Sequence, residues 1–403
     1  MDRQWLDRIP HATRFDFALA SVLRENGRVS AQSGTHIATT RGAFWLGVAH
    51  LAVDAACVTA VLRASPDSNA VYSAALAFVL GYDLFAFAGQ VPFGWIVDRF
   101  RLRRCAALVG LVLTAMAVLT GRGLTVMLLA GAGNALFHVG AGAMVLAGSK
   151  GRATPAGVFV APGALGLGLG IMLGRKLLTV PTWPLLVAVV AASLMVWLVS
   201  LPEEPAKVQP AEPAAHPRRL VLLIVTLLAF SVAVRSLVGT VGCDGCTRGL
   251  FLGVALPLTA FAGKLVGGFL ADRFGWIELG VAALLASAPL LAFSNGDLWL
   301  ALPGLLVFQM TMPVTLSATY RAMPSRPGLG FGILCLALVA GTLPAYLPGG
   351  WRPQGYSLLF LVLGSAAALY FGLRFVLSWS QPRAEPSPKQ ESTAASTLCG
   401  GHP

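Results

Sequence analysis

The sequence predicts an all-α integral membrane protein with twelve transmembrane helices arranged as two six-helix bundles. Hydrophobic residues make up 56% of the 403 residues and charged residues only 11%, with a mean hydropathy of +0.74. A soluble domain carries about 25% charged residues, so this chain lacks the polar surface that solubility requires. Its apolar residues instead form twelve runs, and most have the length of about 20 residues that crosses a bilayer.

The twelve runs fall into two sets of six. The first set has a short third member and a tight connection at Arg122 and Gly123. Its members are 42–62, 71–96, 105–121, 123–147, 155–174 and 181–201. The second set comprises 220–241, 249–271, 277–294, 297–319, 328–348 and 354–377.

Three segments lie outside the two bundles, which span 42–201 and 220–378. Residues 202–219 are rich in proline and charge and cannot cross a bilayer, so we expect a cytoplasmic linker there. Residues 1–41 are polar and contain no apolar signal-peptide core. We expect a disordered or interface-lying cytoplasmic extension there rather than a functional domain, and a disordered cytoplasmic tail over 379–403.

The net charge of +12 reflects orientation better than nucleic-acid binding, because the basic residues cluster in alternate loops. With the N-terminus inside, 21 of the 29 Lys and Arg residues are cytoplasmic and 6 are external. We therefore expect a multi-pass protein of the cytoplasmic (inner) membrane with both termini cytoplasmic, embedded in the lipid bilayer, without a nucleic-acid partner and monomeric.

The six cysteines are scattered and do not suggest a disulfide framework. Cys243 and Cys246 form a Cys-x-x-Cys pair in the loop after the seventh run. With no further ligand nearby in sequence, a redox-labile disulfide or two inert thiols is favoured over a metal site.

The most specific signal is a loop motif that occurs twice. The first copy, Gly94-Trp-Ile-Val-Asp98-Arg99-Phe-Arg101-Leu-Arg103-Arg104, follows the second run. A weaker copy, Gly268-Phe-Leu-Ala-Asp272-Arg273-Phe-Gly275, follows the second run of the other half, 174 residues later. Glycine allows close helix approach, and an Asp at a helix end can accept hydrogen bonds from a facing helix and pair with Arg. The duplication argues against a simple positive-inside loop and predicts a cytoplasmic gate.

These residues resemble the signature of the major facilitator superfamily, Gly-x-x-x-Asp-Arg/Lys-x-Gly-x-Arg/Lys-Arg/Lys. Arg101 stands where the family usually has Gly, and the second copy lacks the basic end after Gly275. The resemblance covers roughly 42–378. It implies two bundles related by a pseudo-two-fold axis, with a central site reached alternately from either side.

Two weaker patterns bear on the direction of transport. The stretch Val160-Ala161-Pro162-Gly163, followed by glycines at 166, 170 and 174, resembles the fifth-helix pattern of exporters, although helix packing explains it equally well. The stretch Gly133-Asn134-Ala-Leu-Phe-His138-Val-Gly140 is similar to the fourth helix of fosmidomycin-resistance-like exporters.

Few polar groups lie at membrane depth, and buried charges there are functional candidates. His50 and Asp54 share a helix face and could accept a proton, or could form a structural pair. Arg235 and Lys264 could bind an anionic group or neutralise acids across the domain interface. The complete set of pathway candidates is His50, Asp54, Asp83, Asn134, His138, Arg235 and Lys264.

The sequence therefore predicts a secondary active transporter of a small-molecule substrate, with proton-coupled export preferred. The alternatives are an uptake symporter of a small metabolite and a non-transporting membrane sensor of the same fold. No phosphate-binding loop and no Ser-His-Asp set is recognisable, so we do not expect an enzyme. We also expect no metal and no cofactor, with the proton gradient as the energy source.

Overall fold

The computed structural model describes residues 11–66, 72–201, 217–241, 249–347 and 349–379, and the regular structure in these ranges is helical. The helices of the N-terminal half are α1 (His11–Ala64), α2 (Tyr72–Asp83, a π-helical turn Leu84–Ala88, and Gln90–Phe100), α3 (Arg103–Thr120), α4 (Leu124–Gly148), α5 (Ala153–Gly174) and α6 (Trp183–Leu198). Those of the C-terminal half are α7 (Arg218–Val241), α8 (Leu250–Phe274), α9 (Trp276–Ala292), α10 (Leu298–Gln309 and Thr311–Ala322), α11 (Pro327–Tyr346) and α12 (Gly355–Trp379).

Each of the twelve apolar runs corresponds to one of these helices. Within the described ranges, ten are long and apolar enough to cross a membrane, and α6 and α9 are shorter apolar helices of 16 and 17 residues. The prediction of an all-α protein with two sets of six helices is confirmed.

The boundaries of the halves differ in detail from those predicted. The apolar span Ala38–Ala64 is the end of a single helix that begins at His11, so residues 11–41 are continuous with the first span. Helix α7 begins at Arg218, two residues earlier than expected. Most of the linker, the 380–403 part of the tail, Cys243 and Cys246 lie outside the described residues.

The two halves meet along two helix pairs, α2 with α11 and α5 with α8. Glycines permit this approach. A Cβ atom on Gly94 would meet the carbonyl oxygen of Gly328, and one on Gly157 would lie 2.8 Å from the carbonyl oxygen of Lys264. Gly268 packs on Gly157 in turn. The glycines of the repeated motif therefore serve the contact between the halves, as their spacing suggested.

The glycine ridge of α5 serves a different contact, because it packs on α1 within the N-terminal half. A Cβ atom on Gly163 would meet the His50 ring, one on Gly166 would meet Leu51 and Asp54, and one on Gly174 would meet Leu62. This packing brings α1 and its polar side chains against the centre of the bundle.

Candidate functional site

The central polar site is a triad of His50, Asp54 and His138. Helix α1 presents His50 and Asp54 one turn apart on one face, and α4 presents His138 opposite them. The His50 and His138 Nε2 atoms are 2.8 Å apart. An Asp54 carboxylate oxygen lies 3.1 Å from His50 Nε2, and the other lies 3.6 Å from His138 Nε2. Three titratable groups thus converge on one point.

Backbone carbonyls fix the tautomers of the two imidazoles. His50 Nδ1 lies 3.0 Å from the carbonyl oxygen of Phe159, and His138 Nδ1 lies 2.8 Å from that of Asn134. A carbonyl can only accept, so each Nδ1 carries a hydrogen and each neutral ring has a bare Nε2. Two bare nitrogens and a carboxylate would repel one another at these distances. The geometry therefore matches a triad that holds one additional proton on an Nε2 atom.

The triad fits a proton better than a metal ion in this conformation. Its ligand atoms lie within 4.8 Å of one another, so their chemistry would suit a cation. Two nitrogens bound tetrahedrally to one zinc ion at about 2.05 Å would be about 3.3 Å apart. The 2.8 Å separation of the two Nε2 atoms is shorter and is a hydrogen-bond distance.

Asn134 completes the hydrogen bonding of Asp54. Its side-chain amide donates to the Asp54 carboxylate at 3.0 Å, while its Oδ1 atom is buried without a partner. Four further titratable groups lie close enough to Asp54 to interact with its charge. They are Cys57 on α1, Tyr82 on α2, Lys264 on α8 and Cys335 on α11. Of these four, Lys264 alone is a basic side chain.

An aromatic contact covers the triad on the side that carries the repeated motif. Phe159 of α5 and Phe331 of α11 have ring centroids 6.3 Å apart, so the contact joins the two halves. Phe159 also packs on the His50 ring at 5.0 Å, and Phe331 lies 6.4 Å from the His138 ring. This pair could not be predicted from the sequence, since apolar aromatic residues in a membrane helix give no distinguishing signal.

The C-terminal half contributes two cations to the centre. Arg235 is only 4% exposed and donates to the Thr311 hydroxyl at 2.9 Å and to the Met312 sulfur at 2.6 Å. Lys264 is close enough to Arg235, to Asp54 and to His138 to interact with their charges. Among the described residues, neither cation forms a salt bridge with an acid.

Asp83 lies apart from this cluster. It ends the first segment of α2, just before the π-helical turn, and is half-buried. Its carboxylate forms no hydrogen bond or ion pair with any of the other six predicted pathway residues, all of which the structure describes. The structure thus brings together six of the seven predicted pathway residues, and Asp83 is the exception.

Asp98 joins the two halves at the end of α2. Its carboxylate accepts hydrogen bonds from the backbone N–H groups of Gly328 at 3.0 Å and Leu329 at 2.8 Å, in the first turn of α11. A carboxylate is favourable there because the first N–H groups of a helix have no partner within the helix and carry a partial positive charge. We call this contact the first latch.

Asp272 makes the equivalent contact at the end of α8, the second latch. It accepts from the backbone N–H groups of Ala153 and Thr154, both at 2.8 Å, and from the Thr154 hydroxyl at 2.6 Å. Arg152 forms a salt bridge with it at 3.4 Å, and the Trp276 indole N–H donates at 3.3 Å. The sequence predicted that the motif aspartate pairs with an arginine. That arginine is Arg152, in the loop before α5, and no salt bridge joins Asp272 to its neighbour Arg273.

Two residues outside the motif strengthen the second latch. Arg321 of α10 donates to the carbonyl oxygen of Gly151 at 3.0 Å and lies over the Trp276 ring at 4.2 Å. Ser317 donates to the carbonyl oxygen of Arg152 at 3.1 Å. Arg321 could not be predicted as a partner of this latch, since its position just after an apolar run was the one available signal.

The basic residues of the motif have separate roles. Arg104 donates to the carbonyl oxygens of Trp197 and Val199, and so ties α3 to the end of α6. Arg99 and Arg273 are exposed and lie over the rings of their neighbours Phe100 and Phe274. The Arg103 guanidinium is close enough to interact with the Asp98 charge.

Arg101 and Gly275 occupy equivalent positions, three residues after each motif aspartate. Arg101 has a φ of +57° and Gly275 has a φ of +104°. This region favours glycine. The glycine of the superfamily signature is therefore a backbone requirement, which this chain meets with Arg in the first copy.

Comparison with solved structures identifies the architecture. The E. coli fucose:proton symporter FucP superposes with a TM-score of 0.57 at 14% identity, over 87% of this chain and 99% of that one. A structure of FucP in the outward conformation gives 0.58 at 14% identity, over 85% and 99%. The human organic anion transporter MFSD10 (TETRAN) gives 0.53 at 16% identity, over 84% and 98%. The chain has the major facilitator fold.

No family model and no curated protein sequence matches the chain. The likeness to major facilitator transporters therefore lies in the fold and in the repeated motif. Similarity to fosmidomycin-resistance-like exporters stays a prediction. The pairing of α2 with α11 and of α5 with α8 is the most extensive contact between the two halves of this major facilitator fold.

Proposed function

We propose that the protein is a proton-coupled secondary transporter that moves a small molecule across the membrane by alternating access. The observation that carries the proposal is the triad, in which the fixed tautomers of His50 and His138 leave two bare nitrogens and the Asp54 carboxylate around one point. A buried site that takes up and releases one proton supplies what coupling to a proton gradient requires.

Besides a proton site, alternating access requires a barrier that can open, and the two latches provide it. Both lie on the side that the distribution of basic residues predicts to be cytoplasmic, and both join one half to the other. Rocking of the halves would break the two latches together and expose the centre to that side. In the conformation described, the aromatic contact and the latches close this side, as expected of an outward-facing state.

The direction of transport follows from the sign of the coupling between proton and substrate. The export prediction drew on the glycine pattern of α5, which packs on α1 within one half, and on the likeness of α4 to fosmidomycin-resistance-like exporters. Export and uptake give opposite accumulation, so one experiment separates them. A monomer with both termini cytoplasmic, requiring no metal or cofactor, completes the proposal.

The test compares metabolite contents of cells that express the wild-type protein or the Asp54→Asn variant, by untargeted mass spectrometry, with and without a protonophore. Asp297→Asn is the matched control, because Asp297 caps α10 far from the triad. We expect at least one compound whose accumulation differs between wild type and Asp54→Asn and collapses with the protonophore. Identical profiles in all three lines would contradict the proposal and favour a sensor.

A further inference from the structure

The C-terminal half holds a cationic pair that the proton site does not use. Arg235 donates two hydrogen bonds, both to uncharged groups, and its Nε–H group is buried without a partner. A guanidinium has five N–H donors, so most of its hydrogen-bonding capacity is unused. A buried charge without an opposite charge is expensive, and a protein that retains one has a use for it.

Lys264 places a second positive charge beside Arg235. The two cations are close enough to repel each other, and the described residues contain no salt bridge to either. Gln309 contributes a further unsatisfied polar atom: its Oε1 is buried without a partner, and its Cβ atom packs against Gly263, the residue before Lys264.

Comparison of the two halves through the internal repeat shows that only the C-terminal half has a cation at the position of Lys264. Gln90 lies 174 residues before Lys264, the offset that also relates Asp98 to Asp272. Gln90 is fully buried and donates to the carbonyl oxygen of Ala86 in its own helix. The N-terminal half thus has a neutral residue at this position, and the C-terminal half has a cation that faces the centre.

We propose that Arg235 and Lys264 bind the anionic group, a carboxylate or a phosphate, of the transported substrate. The proposal rests on the proposed transport function and adds the substrate class. A triad that holds one extra proton carries no net charge, so Arg235 and Lys264 then leave the centre with two positive charges. Loss of that proton adds a negative charge beside Lys264 and reduces the attraction for an anion.

Proton and anion binding should therefore favour each other. By linkage, a proton that strengthens anion binding is itself bound more tightly when the anion is present. Cotransport of the two in the same direction follows from this sign, whereas exchange would need the two to compete. The anionic site thus predicts a proton–anion symporter.

The experiment measures thermal stabilisation of the purified full-length protein in detergent by three probes, sodium lactate, sodium succinate and sodium phosphate. Sorbitol and choline chloride serve as neutral and cationic controls at matched ionic strength. We expect at least one anionic probe, and neither control, to raise the melting temperature. Its apparent affinity should be roughly tenfold tighter near pH 5.5 than near pH 7.5, within the usual range of coupling between two sites.

Substitutions test whether the anionic probe binds at Arg235 and Lys264. Arg235→Gln and Lys264→Gln should each weaken binding of that probe at least about tenfold, Lys264→Arg should retain part of it, and Arg122→Gln, in an exposed loop, should leave it unchanged. Asp54→Asn removes the negative charge that stabilises the extra proton on an Nε2 atom, so the pH dependence should disappear while binding persists.

Two results would overturn the inference: stabilisation by none of the anions, or anion stabilisation that survives both glutamine variants. Either can occur while Asp54-dependent, protonophore-sensitive accumulation of a neutral compound is still observed. Failure of the anion site is therefore distinguishable from failure of the transport proposal.

Discussion

Asp98 and Asp272 make the same contact in opposite directions across the interface between the halves. Asp98, at the end of α2, caps the first turn of α11, and Asp272, at the end of α8, caps the first turn of α5. Each carboxylate reaches into the half to which it does not belong. Closure of the side that carries the two latches therefore depends on both halves at once.

Removing either carboxylate charge should shift the protein toward the state that is open on this side. Hydrogen bonds to a charged group contribute about 1.5–3 kcal/mol, so Asp98→Asn should change the ratio of the two states about 10- to 100-fold. Asp272→Asn should have the larger effect because Asp272 has more partners. Distances between spin labels at Leu102 and Ser325, in a cysteine-free background, would report the shift. Unchanged distances in both variants would show that the latches do not hold the halves together.

The close packing of glycines between the halves should influence the balance between the closed and open states as strongly as the aspartate charges do. Gly94→Ala would bring a methyl group against the backbone of Gly328 and should also favour the open state. Gly364→Ala is the matched control, since a Cβ atom there has no neighbour within 4 Å. The control should be neutral or slightly stabilising, because alanine is the better helix former. The same label distances measure both variants, and an equal response would contradict the packing argument.

The two residues with positive φ after the motifs should respond in opposite ways to substitution. Arg101→Gly removes a strained backbone conformation and should raise the free energy of unfolding by up to about 1 kcal/mol. Gly275→Ala introduces strain and a contact with the Glu278 carboxylate, so it should lower the free energy of unfolding. Denaturation of the purified proteins compares them. Destabilisation by Arg101→Gly would show that the arginine side chain stabilises this turn.

The aromatic contact should restrict access to the centre from the latch side. Phe331→Ala removes the ring that packs on Phe159, so water and small reagents should reach Cys335, one turn further along α11. In a background that retains Cys335 as the only cysteine, we expect a membrane-impermeant thiol reagent to label Cys335 from that side at least about tenfold faster than when Phe331 is intact.

Phe371→Ala is the control for this labelling experiment, since Phe371 is half-exposed on the outer surface of α12. It should leave the rate unchanged. Equal labelling of Cys335 in wild type and Phe331→Ala would show that the ring does not form a barrier.

The sequence predicted the helices because apolar run length is a strong signal and charged or proline-rich breaks separate the runs. It also predicted the motif aspartates as inter-helix acceptors and the pair His50 and Asp54 as neighbours, since i, i+4 spacing fixes one helix face. It could not predict that His138 meets both, because that contact depends on how α4 packs against α1.

Other features depended on information that no local pattern carries. Arg235 and Asp83 gave the same signal, a charge in an apolar run, yet only Arg235 lies within the central cluster. The partners of Asp272 include Arg152 and Trp276, which the packing of separate elements brings together. The contact of Phe159 with Phe331 joins residues that are unremarkable within their own helices.

The reciprocity of the latches bears on how such a chain could arise. A contact in which each partner offers the same aspartate and receives the same helix end is the kind that a two-fold symmetric dimer forms. One ancestral six-helix unit, carrying a single aspartate and a single acceptor helix, could therefore have closed against its own copy before gene fusion. The two halves share the aspartate contact, whereas their centres differ: the N-terminal half holds histidine and carboxylate, and the C-terminal half holds arginine and lysine.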